Sequence, residues 1–220
     1  MAAKHPLSHN GGMDATDTTP RTALLVDWGG VLTTNLFTSF GAFCDDEGIP
    51  HERIAESFRT DPAFRDLLVA FEKGTVEELE FERAFGTLLG CDHVSLIDRL
   101  FARVGPDPAM IAAVRAAREA GIRTGLVSNS WGTRRYDQTM LKDLFDGVVI
   151  SGEVGVRKPS RRIYLLGAER AGADPATCVF VDDLPFNLTP AQELGMATVH
   201  HTSAETTVPE LERLLGVPLA

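Results

Sequence analysis

The sequence predicts an α/β protein: a doubly wound, Rossmann-like parallel sheet with a helical cap inserted after its first strand. Three observations predict it. Four short apolar runs, 23–26 (ALLV), 124–127 (TGLV), 147–150 (GVVI) and 178–181 (CVFV), look like strands buried on both faces. Helical patterns separate them, which implies βαβ units. A polar cluster comes after each run, and in an open α/β sheet those strand ends converge on one crevice.

Residues 1–20 are polar and rich in Gly, Thr and Asp, and read as a disordered tail, with Met13 as an alternative start. The first strand, 23–26, ends at Asp27. From 36 to 104 there is no convincing strand but several short helical patterns. The clearest starts at Thr75, with Glu78 three residues on as a capping box and Val76, Leu79, Phe85, Leu88 and Leu89 as its apolar face. We read 36–104 as a small bundle over the sheet; extra core helices packed beside the sheet are the alternative. Its place directly after the first strand's loop favours a lid. Asp107-Pro108 is an N-cap with proline at the first helical position, Ile111, Val114 and Ala117 repeat at helical spacing, and Gly121 ends that helix. Ser160 opens another, carrying Ile163 and Leu166 and stopped by Gly172. A fifth, weaker strand run lies at 197–200 (ATVH), and Leu211, Leu214 and Leu215 mark the last helix. The core domain is thus 21–35 plus 105–220.

Composition narrows the function classes. With 220 residues the chain can bury one substantial core, with or without a small accessory domain. The formal charge of −10 argues against nucleic acid, whose binders present a basic face. No apolar run approaches the ~20 residues of a membrane span, and residues 1–20 lack a secretory apolar segment. Cys44, Cys91 and Cys178 show no paired spacing, so reduced thiols and a cytoplasmic location are expected. The six histidines have no metal-ligand spacing; His51 falls in the cap, and His200-His201 at the end of the fifth strand.

Chemistry gathers at the four strand ends. Asp27 lies in VDWGGVL, Ser128 in LVSNS, Lys158 in SGEVGVRKPS, and Asp182 and Asp183 in VFVDDLPFN. A lone carboxylate or serine there is often a helix cap. An adjacent pair of acids after four apolar residues is harder to dismiss, because like charges near a buried strand end need a cation or strong donors. With Asp27 the pair makes an oxygen-rich site of the kind magnesium prefers.

These four clusters resemble, in order and spacing, the motifs of the haloacid dehalogenase-like superfamily, from about residue 22 to 216. The first motif and DDLPFNLTPAQELGM look most like the phosphatase domain of soluble epoxide hydrolase and its bacterial relatives, some of them sugar-phosphate phosphatases. The resemblance implies hydrolysis of a small phosphorylated metabolite through an aspartyl-phosphate on Asp27. It implies Mg2+ held by Asp27, the Gly29 carbonyl and Asp183, with Asp182 a direct or supporting ligand. Ser128 and the backbone of Asn129 would bind phosphate oxygens. Lys158 would pair with Asp27 and the phosphate. Glu153 and Asn187 would hold the Lys158 loop and the metal loop. Trp28 and Trp131 are expected in the pocket wall, while Arg157, Arg161 and Arg162 read as solvated.

One departure stands out. Phosphatases of this superfamily usually carry a second Asp two residues after the nucleophile, as general acid and base; here that position is Gly29. Its absence removes a group typically contributing ~10²–10⁴-fold. A water or cap residue supplies the proton, or the substrate's leaving group needs little protonation, or the protein is a degenerate ligand-binding or regulatory relative. A 2-haloacid dehalogenase fits less well, because that chemistry uses no metal to quiet Asp182 and Asp183 beside Asp27.

Overall fold

The computed structural model describes residues 20–219, so the tail reading for 1–19 lies outside the described residues. Five parallel strands form one sheet: β1 (Ala23–Val26), β2 (Arg123–Ser128), β3 (Gly147–Ile150), β4 (Cys178–Asp182) and β5 (Ala197–His200), in the order β3-β2-β1-β4-β5. The central strand, β1, is buried at every position. Its register sets Val26 beside Leu126 on one side and Val181 on the other. Asp27, Ser128 and Asp182 therefore emerge at one edge of the sheet.

Between β1 and β2 the chain first forms five helices: α1 (Leu36–Glu47), α2 (Glu52–Thr60), α3 (Pro62–Glu72), α4 (Glu78–Leu89) and α5 (Leu96–Leu100). They gather an apolar cluster of their own around Phe40, Phe64, Phe71, Phe81 and Phe85. An antiparallel bridge between Thr33 and Pro106 ties the two connecting segments, with Thr34 N–H donating to the Gly105 carbonyl at 2.8 Å. The sixth helix, α6 (Pro108–Glu119), leads back into the sheet.

Side chains alternate across β1 as a strand's period of two requires. Leu24 and Val26 join a core with Val114, Leu144 and Leu211. Ala23 and Leu25 join Ile163, Tyr164 and Phe180 on the other face. Helices α7 (Gln138–Leu144), α8 (Ser151–Val154), α9 (Arg161–Ala171), α10 (Pro185–Gln192) and α11 (Ala204–Leu215) complete the chain. The first core lies under α6, α7 and α11, and the second beneath α9 and α10. Asp107 caps α6 as expected, its carboxylate accepting from the Ala109 and Met110 N–H groups at 3.0 Å. Gly172 ends α9 in the left-handed conformation.

The capping box at Thr75 is not formed. Gly74, at φ +69°, turns the chain out of α3, and the Thr75 hydroxyl and N–H both donate back to the Ala70 carbonyl at 2.9 Å. Helix α4 begins only at Glu78. The Glu78 carboxylate pairs instead with Arg134 and Arg135 of the core, at 2.8 and 2.7 Å; two guanidiniums outcompete one backbone N–H for a carboxylate. Leu79, expected on the apolar face, is exposed, while Phe85 and Leu89 are buried. Among the described residues no helix is long and apolar enough to cross a membrane. All three cysteines are free.

Candidate active site

At the C-terminal edge of the sheet, a buried lysine stands between two carboxylates. Lys158 Nζ lies 2.8 Å from Asp27 Oδ1 and 2.7 Å from Asp182 Oδ2, and its side chain is essentially inaccessible. Burial alone would strip the charge from a lysine. It opposes the charge here too, but Asp182 and Asp27 more than offset it and raise the pKa above the ordinary lysine value. The Phe180 ring adds a cation–π contact at 5.7 Å. Asn129 fixes the lysine's backbone, accepting the Lys158 N–H at 2.8 Å and donating to its carbonyl at 3.2 Å.

Asp182 is saturated by protein donors. The Leu184 N–H donates to Oδ1 at 2.9 Å, and the Asn187 amide reaches both oxygens at 3.0 and 3.2 Å. Asn187 thus holds Asp182, as expected of it. Asp27 receives the Trp28 N–H on Oδ1 at 2.7 Å, the oxygen that also meets Lys158. Among the described residues no protein donor engages Asp27 Oδ2.

Carboxylate oxygens of Asp27, Asp182 and Asp183 all lie within 4.8 Å of one another. Burial pushes the Asp27 carboxyl up to about 7, with Asp182 and Asp183 adding to it against the pull of Lys158. Asp183 is pushed up to about 6, chiefly by burial and then by Asp182. A divalent cation is the partner that such crowding calls for, and an all-oxygen donor set suits a hard one. Each of the three acids offers one oxygen to such a group, although Asp182 already accepts from Lys158, Asn187 and the Leu184 N–H. Gly30, at φ +72°, passes so close to Asp183 that a Cβ there would collide with its carboxylate. The glycine loop therefore packs directly on the acidic cluster.

Other expected residues fall less simply. The Ser128 hydroxyl is buried and bonded to the Tyr136 hydroxyl at 2.9 Å, whereas Asn129 lines the cavity in front of Asp27. Trp28 turns away from that cavity into a groove with Leu32, Phe101 and Met140, its ring packed on Tyr136. It packs against the core on the Leu24 and Val26 face of the sheet. Trp131 does line the cavity. Glu153 is exposed on α8 beside Gln138 and Lys142, away from the Lys158 loop, and Asn129 does the holding instead. Arg157 is not simply solvated; it pairs with the buried Glu72 of α3. Arg161 is exposed, 3.7 Å from Glu193. His51 pairs with Asp45 on the outer surface of the helical insertion at 2.7 Å, and His201 bonds Thr207 at 2.9 Å.

Glu72 is the site residue that sequence reasoning missed. Burial raises its pKa despite Arg157, and it lines the same cavity as Asp27 and Lys158. The available signal was its spacing: Arg65, Leu68, Val69 and Glu72 recur at helical period on one face of α3. At Gly29, an added Cβ would meet Leu36 Cδ1 at 2.8 Å. An apolar side chain thus occupies the space where a second acid would project.

The cavity holds about 670 Å³ and lies between the sheet edge and the inserted helices. Its floor carries Asp27, Lys158 and Asp183; its walls include Leu36, Phe40, Leu68, Val69 and Trp131. Residues 21–195 match the family model for haloacid dehalogenase-like hydrolases.

The chain belongs to this hydrolase family.

It is 30% identical over 237 residues to mouse Acyl-CoA dehydrogenase family member 10, a match covering 99% of this chain but 22% of that protein. It is 33% identical over 117 residues to pig Bifunctional epoxide hydrolase 2, covering 50% of this chain and 21% of the other. The chain thus spans about a fifth of these two relatives. Glyceraldehyde 3-phosphate phosphatase of Methanopyrus kandleri is 28% identical over 186 residues, 70% of this chain and 79% of that one. A haloacid dehalogenase family enzyme of Bacteroides thetaiotaomicron, solved as a magnesium complex, superposes with a TM-score of 0.61 at 25% identity, over 83% of this chain and 93% of the other.

Proposed function

We propose that this haloacid dehalogenase-like hydrolase cleaves phosphomonoesters, with Asp27 as nucleophile and magnesium as cofactor. The observation that carries the reading is Lys158, fully buried and held between Asp27 and Asp182. That arrangement fixes a positive charge beside a carboxylate whose other oxygen no described protein donor engages. Such a pair suits attack on an anionic phosphoryl group.

A carboxylate oxygen of Asp27 attacks phosphorus in line, the ester P–O bond breaks, and the departing alkoxide takes a proton from water to become the alcohol, leaving an aspartyl-phosphate. Water then cleaves it, returning Asp27 and inorganic phosphate. Lys158 pulls Asp27 towards its ionised form against burial and would neutralise a phosphoryl oxygen. Asn129 presents the phosphate-facing end of the loop after β2 while clamping Lys158; Ser128 sits behind it. A magnesium ion held by Asp27, Asp183 and the Gly29 carbonyl would offset the repulsion between nucleophile and phosphate. Asp182 acts through Lys158 rather than on the ion. Residues 36–104 serve as the cap over a core of 21–35 and 105–220, excluding water from the cavity.

Gly29 favours a second reading, a protein that binds phosphate esters without turning them over. Hydrolysis of p-nitrophenyl phosphate with and without magnesium, by the native protein and Asp27→Asn, separates the two. Magnesium-dependent release that disappears in the variant supports the hydrolase. Binding of inorganic phosphate with no release under any condition supports the second reading.

A further inference from the structure

The cavity's charges do not all belong to the phosphoryl chemistry. Lys158 is tied to Asp27 and Asp182, and Arg157 to Glu72. Two more guanidiniums line the same cavity, Arg59 at the end of α2 and Arg65 in the first turn of α3. Both are exposed, and among the described residues neither makes an ion pair. Asp61, two residues after Arg59, uses its carboxylate to cap α3 through the Ala63 and Phe64 N–H groups.

The two helices present ordered faces. On α3 the cavity-lining residues are Arg65, Leu68, Val69 and Glu72; on α2 they are Glu52, Ala55 and Arg59. Glu72 marks the deep end, through its pair with the residue preceding Lys158. At 1.5 Å per residue, Arg65 lies about 10 Å from Glu72 along the helix. Leu68 and Val69 fill the interval. Glu52, the acid on the α2 face, is equally about 10 Å from Arg59. The Asp61 turn brings the Arg ends of the two helices together.

Leu68 and Val69 make the interval on α3 apolar. Phe37 and Phe186 also line the cavity, and they stay 58% and 57% exposed although both are large and hydrophobic. Exposed aromatic side chains on both sides of one cavity mark a binding surface better than a fold requirement.

We propose that Arg59 and Arg65 form a second anion subsite. It selects phosphomonoesters whose apolar body ends in another anionic group, a carboxylate or a second phosphate. The phosphoryl group lies at Asp27, the apolar body along Leu68 and Val69, and the distal anion between the guanidiniums. This rests on the phosphatase reading for its chemistry but not for its geometry.

The test compares octyl phosphate with the same ester carrying a terminal carboxylate, on the native protein and on Arg59→Gln/Arg65→Gln. The native protein should favour the carboxylated ester by about three- to tenfold, expressed in KM, as expected for a partly exposed arginine–carboxylate contact. Added salt should shrink the preference, and the double variant should bring the ratio towards one. Calorimetry with the matching phosphonates, which cannot be hydrolysed, reads the same preference without turnover. Should no ester be hydrolysed, the phosphatase reading fails, and the phosphonate pair still decides the subsite. Equal binding of both phosphonates by the native protein, or an unchanged ratio in the folded double variant, overturns the subsite. Circular dichroism establishes that the variant is folded, and the salt dependence in the native protein gives the answer if it is not.

Discussion

Glu72, at the end of α3, forms an ion pair with Arg157, the residue immediately before the buried Lys158. The pair crosses from the helical insertion to the sheet domain. Beside it, the Ser151 hydroxyl donates to the Glu72 carbonyl and itself accepts the Ser130 N–H at 2.9 Å. Gly74 packs so closely on the Gly152 carbonyl that a Cβ would collide with it. The insertion is therefore seated on the loops after β2 and β3 as well as on its own connecting segments.

Removing one partner of a buried pair leaves an uncompensated charge. Because Arg157 keeps some exposure, Glu72→Gln should destabilise by about 2–3 kcal/mol, below the 3–5 kcal/mol of a fully buried case. Urea unfolding measures it, and a change below about 0.5 kcal/mol would mean the pair does not seat the insertion. Gly74→Ala should also destabilise, since it adds backbone collision to a left-handed φ of +69°.

Asp27→Asn should lower phosphatase turnover by on the order of 10⁴-fold while the protein stays folded. An amide does not attack phosphorus. Steady-state assays together with circular dichroism check this, and more than a few per cent residual activity would exclude Asp27 as nucleophile.

The two metal-loop acids should separate. Asp183→Ala should weaken magnesium affinity, while Asp182→Ala should chiefly cost stability, because it strips Lys158, Asn187 and the Leu184 N–H of their shared acceptor. Magnesium titrations paired with thermal unfolding read both effects. Equal magnesium affinity in the native protein and in Asp183→Ala would refute the assigned ligand.

Stability should depend on pH in a way that magnesium reverses. Asp27 is raised to about 7 and Asp183 to about 6, both above an unfolded carboxyl. Without the cation, folding takes up protons at these groups. Their contribution is fully present below the ordinary carboxylate range and is lost as pH rises through about 6 to 7. Magnesium needs the ionised forms, so the rise in Tm it causes should be larger at about pH 8 than at about pH 5.5. An equal rise at both would contradict the site.

With Leu36 in the space beside Gly29, no carboxylic acid is placed there to protonate the leaving alcohol. Catalysis should depend steeply on leaving-group basicity across a series of aryl phosphates, reflecting the missing ~10²–10⁴-fold. Gly29→Asp should flatten that dependence, because the clash it creates is with the movable tip of Leu36 and the backbone is not left-handed. A flat dependence in the native protein would point to another proton donor, and Glu72 rather than the outward-facing His51 would be the first to substitute.

The sheet, the order of its polar ends and the residues gathered at them were legible in the sequence alone. Buried parallel strands must be continuously apolar, so ALLV, GVVI and CVFV announce themselves, and a doubly wound sheet brings the residues at their C-terminal ends to one edge. Asp27, Lys158, Asp182 and Asp183 were therefore legible as one cluster. The tertiary structure decided how donors are shared within it. Lys158 and Asn187 saturate Asp182, Tyr136 takes the Ser128 hydroxyl, and Asn129 holds the Lys158 backbone. It also decided where the helical insertion packs. Helical spacing shows that Glu72 shares a face with Leu68 and Val69, but not what that face meets. Only the docking of α3 onto the loops after β2 and β3 buries Glu72 against Arg157. Such pairings depend on contacts between residues 79 or 85 positions apart, as Glu72 is from Ser151 and Arg157. Local periodicity and capping carry no information over that distance, because packing against a distant surface sets which of two polar groups is desolvated.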